Sequence, residues 1–220
     1  ENEAENAYLT YNATVGDTLD RELYIAFQVL DYALCTAPGA PLKRALLEKG
    51  IGTDIYSIYE NSIKQPYFSI VSKNADEKQE KEFVETVEEV LGKIVKDGFD
   101  KKALYAALSH YEFKYREADF GSTPNGLMYG LQMLDSWLYD DTKPFIHVEA
   151  NATFAALKKK VEEGYFEELV KKYLIENTQK SILLLLPRKG LTEKSDKELE
   201  ERLAAYKAGL SKEEIAKIIA

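Results

Sequence analysis

Val15-Gly16-Asp17-Thr18-Leu19-Asp20, leading through Ala37-Pro38-Gly39-Ala40-Pro41-Leu42 to Gly50-Ile51-Gly52, sets the plan of the chain. Upstream, Ala7 to Val15 mixes Tyr, Thr and Val and stops at Gly16-Asp17, as a strand does on entering a turn. From Leu19 the period changes. Leu23, Phe27, Leu30 and Leu34 recur at spacings of four, three and four, which predicts a helix with one apolar stripe. Ala37-Pro38-Gly39 breaks it, Leu42 to Lys49 predicts a short second helix, and Gly50 suits its left-handed cap.

Two strands are predicted next, Thr53 to Ile63 and Tyr67 to Ser72. In the first, Ile55, Ser57 and Tyr59 share one face and Tyr56 and Ile58 the other. Lys64-Gln65-Pro66 is too short for a parallel crossover, so the pair forms an antiparallel hairpin. Four helices follow. Phe83, Val87, Val90, Leu91 and Ile94 mark the first, capped by Asp76. Leu104, Leu108, Tyr111 and Tyr115 mark the second, capped by Asp100. Ser122 or Thr123 opens the third, with Pro124 at its first position, running to about Tyr139. The fourth is predicted as one helix from about Thr153 to Ile175.

Ser181-Ile182-Leu183-Leu184-Leu185-Leu186-Pro187 is an unbroken apolar run of strand length, which predicts a central strand buried on both faces. The order is strand, helix, two strands, several helices, strand. That is an α+β fold, a mostly antiparallel sheet with helices packed on one side. Beyond Arg188 the composition turns to charge-rich helix, and Ser211 with Glu214 forms a capping box. The division expected is a domain over residues 1–188 and a helical appendage over 189–220.

At 220 residues, 45% hydrophobic, the chain supports a real core. Its formal net charge of -9 and lack of a clustered basic face argue against nucleic acid. No apolar run reaches the roughly 20 residues of a membrane helix, so a membrane partner is not expected. Cys35 is the only cysteine, which excludes an intrachain disulfide, and its place in an apolar helix reads as inert core. The chain opens at Glu1 and enters a strand almost at once, as a piece cut from a longer protein would. For the chain as given the expectation is cytoplasmic, with the parent's compartment left open.

His110 and His147 are the only histidines and stand 37 positions apart, so they cannot share a zinc at the four-residue helical spacing. Both read as structural. Glu112, Glu117 and Asp119 flank His110, as acids do in any acidic helix. No nucleophile elbow and no glycine-rich phosphate loop is present. Of the 15 tyrosines, Tyr56, Tyr59 and Tyr67 crowd the hairpin, where they read as sheet packing or as a face for an extended peptide.

From Ala7 to Pro187 these residues resemble the second, non-catalytic domain of the N-terminal half in the pitrilysin/insulin-degrading zinc metallopeptidases, presequence-protease branch. The fold implied is that of the mitochondrial processing peptidase-like metallohydrolases. The family's zinc motif, His-x-x-Glu-His, is absent, so no catalytic or metal-binding residue and no cofactor is expected in this chain, and zinc belongs to the parent enzyme. The tail from Leu203 to Ser211 resembles the start of the helical hairpin that joins the two halves. The resemblance implies an exosite for the N-terminal segment of a peptide substrate, formed by Pro38, Gly39 and Ala40 and by the strand Ile55, Tyr56, Ser57, Ile58, Tyr59 and Glu60. Relatives carry more glycine at both places. The implied partners are other domains of the same peptidase and peptide substrates. The alternative is a structural or interaction domain, like the non-catalytic core subunits related to the processing peptidase, in a parent without peptidase activity.

Overall fold

The computed structural model describes residues 6–118 and 120–219; Asp119, singled out beside His110, lies outside the described residues. Four strands, β1 (Ala7–Thr14), β2 (Asp54–Glu60), β3 (Tyr67–Ala75) and β4 (Lys180–Leu185), form one antiparallel sheet in the order β2-β3-β1-β4. Alternation along β1 sends Leu9, Tyr11 and Ala13 to one face, in register with Ser72, Ile70 and Phe68 of β3. On that face lie α1 (Arg21–Asp31), α2 (Pro41–Glu48), α3 (Glu80–Asp97), α4 (Lys101–Glu117), α6 (Asn151–Lys160) and α7 (Tyr165–Leu169), whose buried residues join those of the strands in a single core. The α+β architecture with helices on one side is therefore the one expected.

α1 starts where the apolar period begins because Asp20 accepts from the amides of Glu22 and Leu23. It ends in a wide π-turn over Tyr32–Thr36. A second π-turn, Val170–Ile175, ends α7, and there the sheet grips the helix end. The Tyr11 hydroxyl donates to Leu174 O at 2.7 Å, and Lys180 Nζ donates to both Tyr11 Oη (3.0 Å) and Ile175 O (2.8 Å). Asp76 caps its helix through a box with Gln79, and Asp100 and Ser211 cap theirs as predicted.

Three expectations are corrected. β4 is not a central strand: among the described residues it pairs with β1 alone, and Leu183 and Leu185 are 56% and 58% exposed. A continuous apolar run records that both faces of a strand disfavour water, but it does not provide a neighbour on each edge. The helix predicted from Thr153 to Ile175 breaks at Gly164, whose φ of 75° is left-handed, so α6 passes through the 3-10 turn Val161–Glu163 before α7 begins. Pro124 occupies the cap position itself with ψ 128°, outside helical geometry, so α5 runs Asn125–Trp137 without a side-chain cap. α8 (Leu191–Ala208) buries none of its residues, and α9 (Lys212–Ile219) follows it.

Gly50 and Gly52 turn the chain from α2 into β2, both with positive φ. A Cβ on Gly50 meets open space, whereas one on Gly52 falls 2.1 Å from Ser72 Oγ and 2.7 Å from Lys73 O. Gly50→Ala is expected to cost about 1–2 kcal/mol, and Gly52→Ala about 3 kcal/mol or more because overpacking adds to the backbone strain. Urea unfolding of the two variants checks this; equal losses would show that the close approach at Gly52 relaxes freely.

Candidate functional site

β2 is an edge strand: it pairs with β3 on one side and, among the described residues, with nothing on the other. Its faces separate as its alternation predicts. Ile55 is fully buried, Ser57 Oγ donates to Asp31 O at 3.3 Å, and Tyr59 packs on Phe27 with ring centroids 5.6 Å apart. Tyr56, Ile58 and Glu60 face the other way, opposite Val71, Ser69 and Tyr67 of β3, with Ile58 43% exposed. The free edge thus offers backbone donors and acceptors beside a mixed aromatic, aliphatic and acidic surface.

The loop grouped with this strand lines a recess of its own. Pro38, Gly39 and Ala40 line a recess of about 490 Å³ together with Arg44 of α2 and the α3–α4 junction at Asp97 to Asp100; none of Ile55 to Glu60 lines it. The π-turn before the loop and α2 after it both pack on β2, and Lys43 of α2 pairs with Asp54 at 3.7 Å. Gly39 takes φ 75° with open space where a Cβ would lie, so it serves the turn rather than a close contact.

The outer face of the sheet was not picked out from sequence, although alternation in β1 marks it. Tyr8, Thr10, Asn12 and Thr14 point there, half-buried. A polar network crosses three strands: Ser69 Oγ donates to Asn12 Oδ1 at 2.6 Å, and Asn12 Nδ2 donates to Thr10 Oγ1 (2.8 Å) and Ser181 O (3.1 Å). The core helices lie on the opposite face.

The other reactive side chains sit in packed positions. His147 is 1% exposed and stacks on Tyr24 at 3.6 Å, and burial lowers its pKa to about 4, leaving it neutral near neutral pH. His110 stacks on Tyr32 at 4.9 Å. Burial pushes the Cys35 thiol up to about 12, which suits inert core. Among the described residues no three His, Cys, Asp or Glu side chains converge on a point that could hold a metal.

This fold agrees with what the chain is similar to. The family model described as "Peptidase M16 inactive domain" matches residues 1–111. "Protein HypA" of Clostridium perfringens is 39% identical over 213 residues, and "Presequence protease 1, chloroplastic/mitochondrial" of Arabidopsis thaliana is 30% identical over 205. These matches take in 97% and 91% of the chain but only 22% and 19% of those relatives, so the chain spans about a fifth of their length. Among solved structures, the inactive peptidase domain of a proposed zinc protease from Bordetella parapertussis superposes with a TM-score of 0.64 at 9% identity, over 84% of this chain and 92% of that one. The M16 inactive domain from Pseudomonas fluorescens gives 0.55 at 18%, over 84% and 41%. The chain belongs to the M16 peptidase family, as one of its inactive, non-catalytic domains.

Asp31 ties the edge strand to the core and carries a pH signature. Its Oδ1 is buried without a partner, and burial pushes its carboxyl up to about 6, with the Ser57 hydroxyl pulling partway back. In the unfolded chain the value is about 3.9. The folded state therefore holds the proton more tightly, and the burden on stability is absent below about pH 4 and grows as pH rises through 6. Asp31→Asn is expected to raise the unfolding free energy near pH 8 by about 2 kcal/mol and to have little effect near pH 4. Urea titrations at the two pH values check this; an equal effect at both would assign the gain to packing.

Proposed function

We propose that this chain is the non-catalytic half of a peptide-handling unit in a zinc metalloendopeptidase, forming part of the wall of its substrate chamber. The zinc and the hydrolytic residues belong to other domains of the same protein. The open sheet face and the free edge of β2 meet the substrate. An extended peptide gains main-chain hydrogen bonds on such an edge whatever its sequence, with Tyr56 and Ile58 adding apolar contact. The Pro38-Gly39-Ala40 loop offers a second contact beyond the π-turn. Residues 1–188 constitute the domain and 189–220 lead away from it, since α8 keeps no residue buried. The exposed leucines of β4 and the exposed Leu127, Leu131 and Trp137 of α5 suit contact with other domains of the parent.

The single observation that carries the reading is the unpaired edge of β2 beside a face free of core helices. The test uses an unstructured fluorescent peptide long enough to span Asp54–Glu60 and a second one, identical except for N-methylation of its backbone amides. The purified chain is expected to bind the first at least about tenfold more tightly, because N-methylation removes several hydrogen bonds at once. Equal binding of the two would mean that contact is by side chains alone, and would leave the structural reading of the domain in possession of β2.

A further inference from the structure

A cavity of about 310 Å³ opens where β2 ends, between α1, α4 and α5, with Asn61 at its edge. Thr18, fully buried, holds this corner together: its Oγ1 lies 3.0 Å from both Asn61 O and Asp135 O. The lining is unusually aromatic. Tyr24 comes from α1, Tyr111 and Tyr115 from α4, Tyr129 from α5 and Phe120 from the loop between them, with Phe120 and Tyr129 edge to face at 5.5 Å.

One carboxylate stands among these rings. Asp135 Oδ2 accepts from the Tyr24 hydroxyl at 2.7 Å, and a carboxylate has acceptor capacity well beyond one such bond. Asp135 takes part in none of the ion pairs among the described residues. Lys114 also lines the cavity, from an exposed position outside ion-pair distance of Asp135. Burial raises the Asp135 pKa, and the nearby charge of Glu60, the last residue of β2, adds to the rise. The site thus sets a half-buried carboxylate, in no ion pair among the described residues, within an aromatic lining.

Such a site favours one kind of ligand. A cation over aromatic faces gains from the ring quadrupoles, and a planar guanidinium both stacks on rings and donates two parallel bonds to a carboxylate. A neutral or anionic side chain gains neither. The geometry points to this cavity as a subsite for an arginine side chain of a peptide whose backbone lies along β2. The backbone part rests on the proposed β2 exosite; the cavity stands on its own residues. Glu60, whose Oε1 accepts from Ser62 N at 3.0 Å, adds only its nearby negative charge, and Asp135 receives the side chain.

The experiment measures binding to the purified chain of the spanning peptide with a single arginine, its citrulline counterpart, and N-acetylargininamide as a probe too small to use β2. Citrulline keeps the shape of arginine and removes the charge. The expected result is an arginine preference of about tenfold that disappears in Asp135→Asn, a variant that can still accept from Tyr24. Tyr129→Leu, which keeps bulk but not the ring, should weaken arginine binding several-fold. N-acetylargininamide should shift the NMR signals of Tyr24, Tyr115 and Tyr129 in the parent chain and not in Asp135→Asn. No arginine preference and no shift by N-acetylargininamide would overturn the subsite, even if N-methylation still weakens the peptide and the edge reading survives. The converse, a preference sensitive to Asp135 with no effect of N-methylation, would leave the cavity standing and remove β2 from the account.

Discussion

Phe27 is the side chain on which the remaining architecture rests. From the middle of α1 it meets Tyr59 of β2, Phe68 of β3 and Tyr173 of the last π-turn, with ring centroids 5.6, 5.9 and 5.7 Å away. Two of the three contacts are edge-to-face, the arrangement that ring quadrupoles favour, each worth about 0.5–1.5 kcal/mol beyond area burial. One residue therefore sets the height of α1 above the sheet, the tilt of the edge strand and the return of the chain toward β4. Because all of this happens on one face, the outer edge of β2 is left without a strand partner among the described residues.

The second tether lies across the sheet. Tyr11 and Lys180 bind the carbonyl oxygens that the π-turn at Val170–Ile175 presents, so β1, β4 and the helix end are fixed by polar contacts in a site that apolar packing alone would leave adjustable. β4 itself is held on one edge only and keeps leucines in water. A sheet whose two edges have no partner among the described residues, with an exposed apolar run, is a liability for a protein standing alone. The proposed role accounts for it: in that reading other domains of an M16 peptidase cover what is apolar, and a peptide meets what is hydrogen-bonding.

Most of the fold was legible because its signals are local. The Leu23-Phe27-Leu30-Leu34 period, the two-sided pattern of Ile55 to Tyr59 and the caps at Asp76, Asp100 and Ser211 each depend on residues within a turn or two of one another. Where reading failed, the deciding partner was distant or absent. The run Ile182 to Leu186 looked central because burial was inferred from hydrophobicity alone, while pairing depends on what else the sheet contains. Gly164 lay inside a stretch whose apolar period continues on both sides of it, which hid the break. The Pro38-Gly39-Ala40 loop and β2 were grouped by resemblance, and the recess that the loop lines includes none of Ile55 to Glu60. The cavity around Asp135 could not be read at all, since it assembles Tyr24, Tyr115 and Tyr129 from three helices far apart in sequence.

The central claim is that the free edge of β2 receives extended peptide while the core face stays closed. Amide exchange of the purified chain, with and without the spanning peptide, tests it most directly. The account predicts new protection confined to backbone amides within Asp54–Glu60 and no change in β4 or α8. Protection appearing instead along Lys180–Leu185, with β2 unchanged, would contradict it and place the peptide-accepting edge on the opposite side of the sheet.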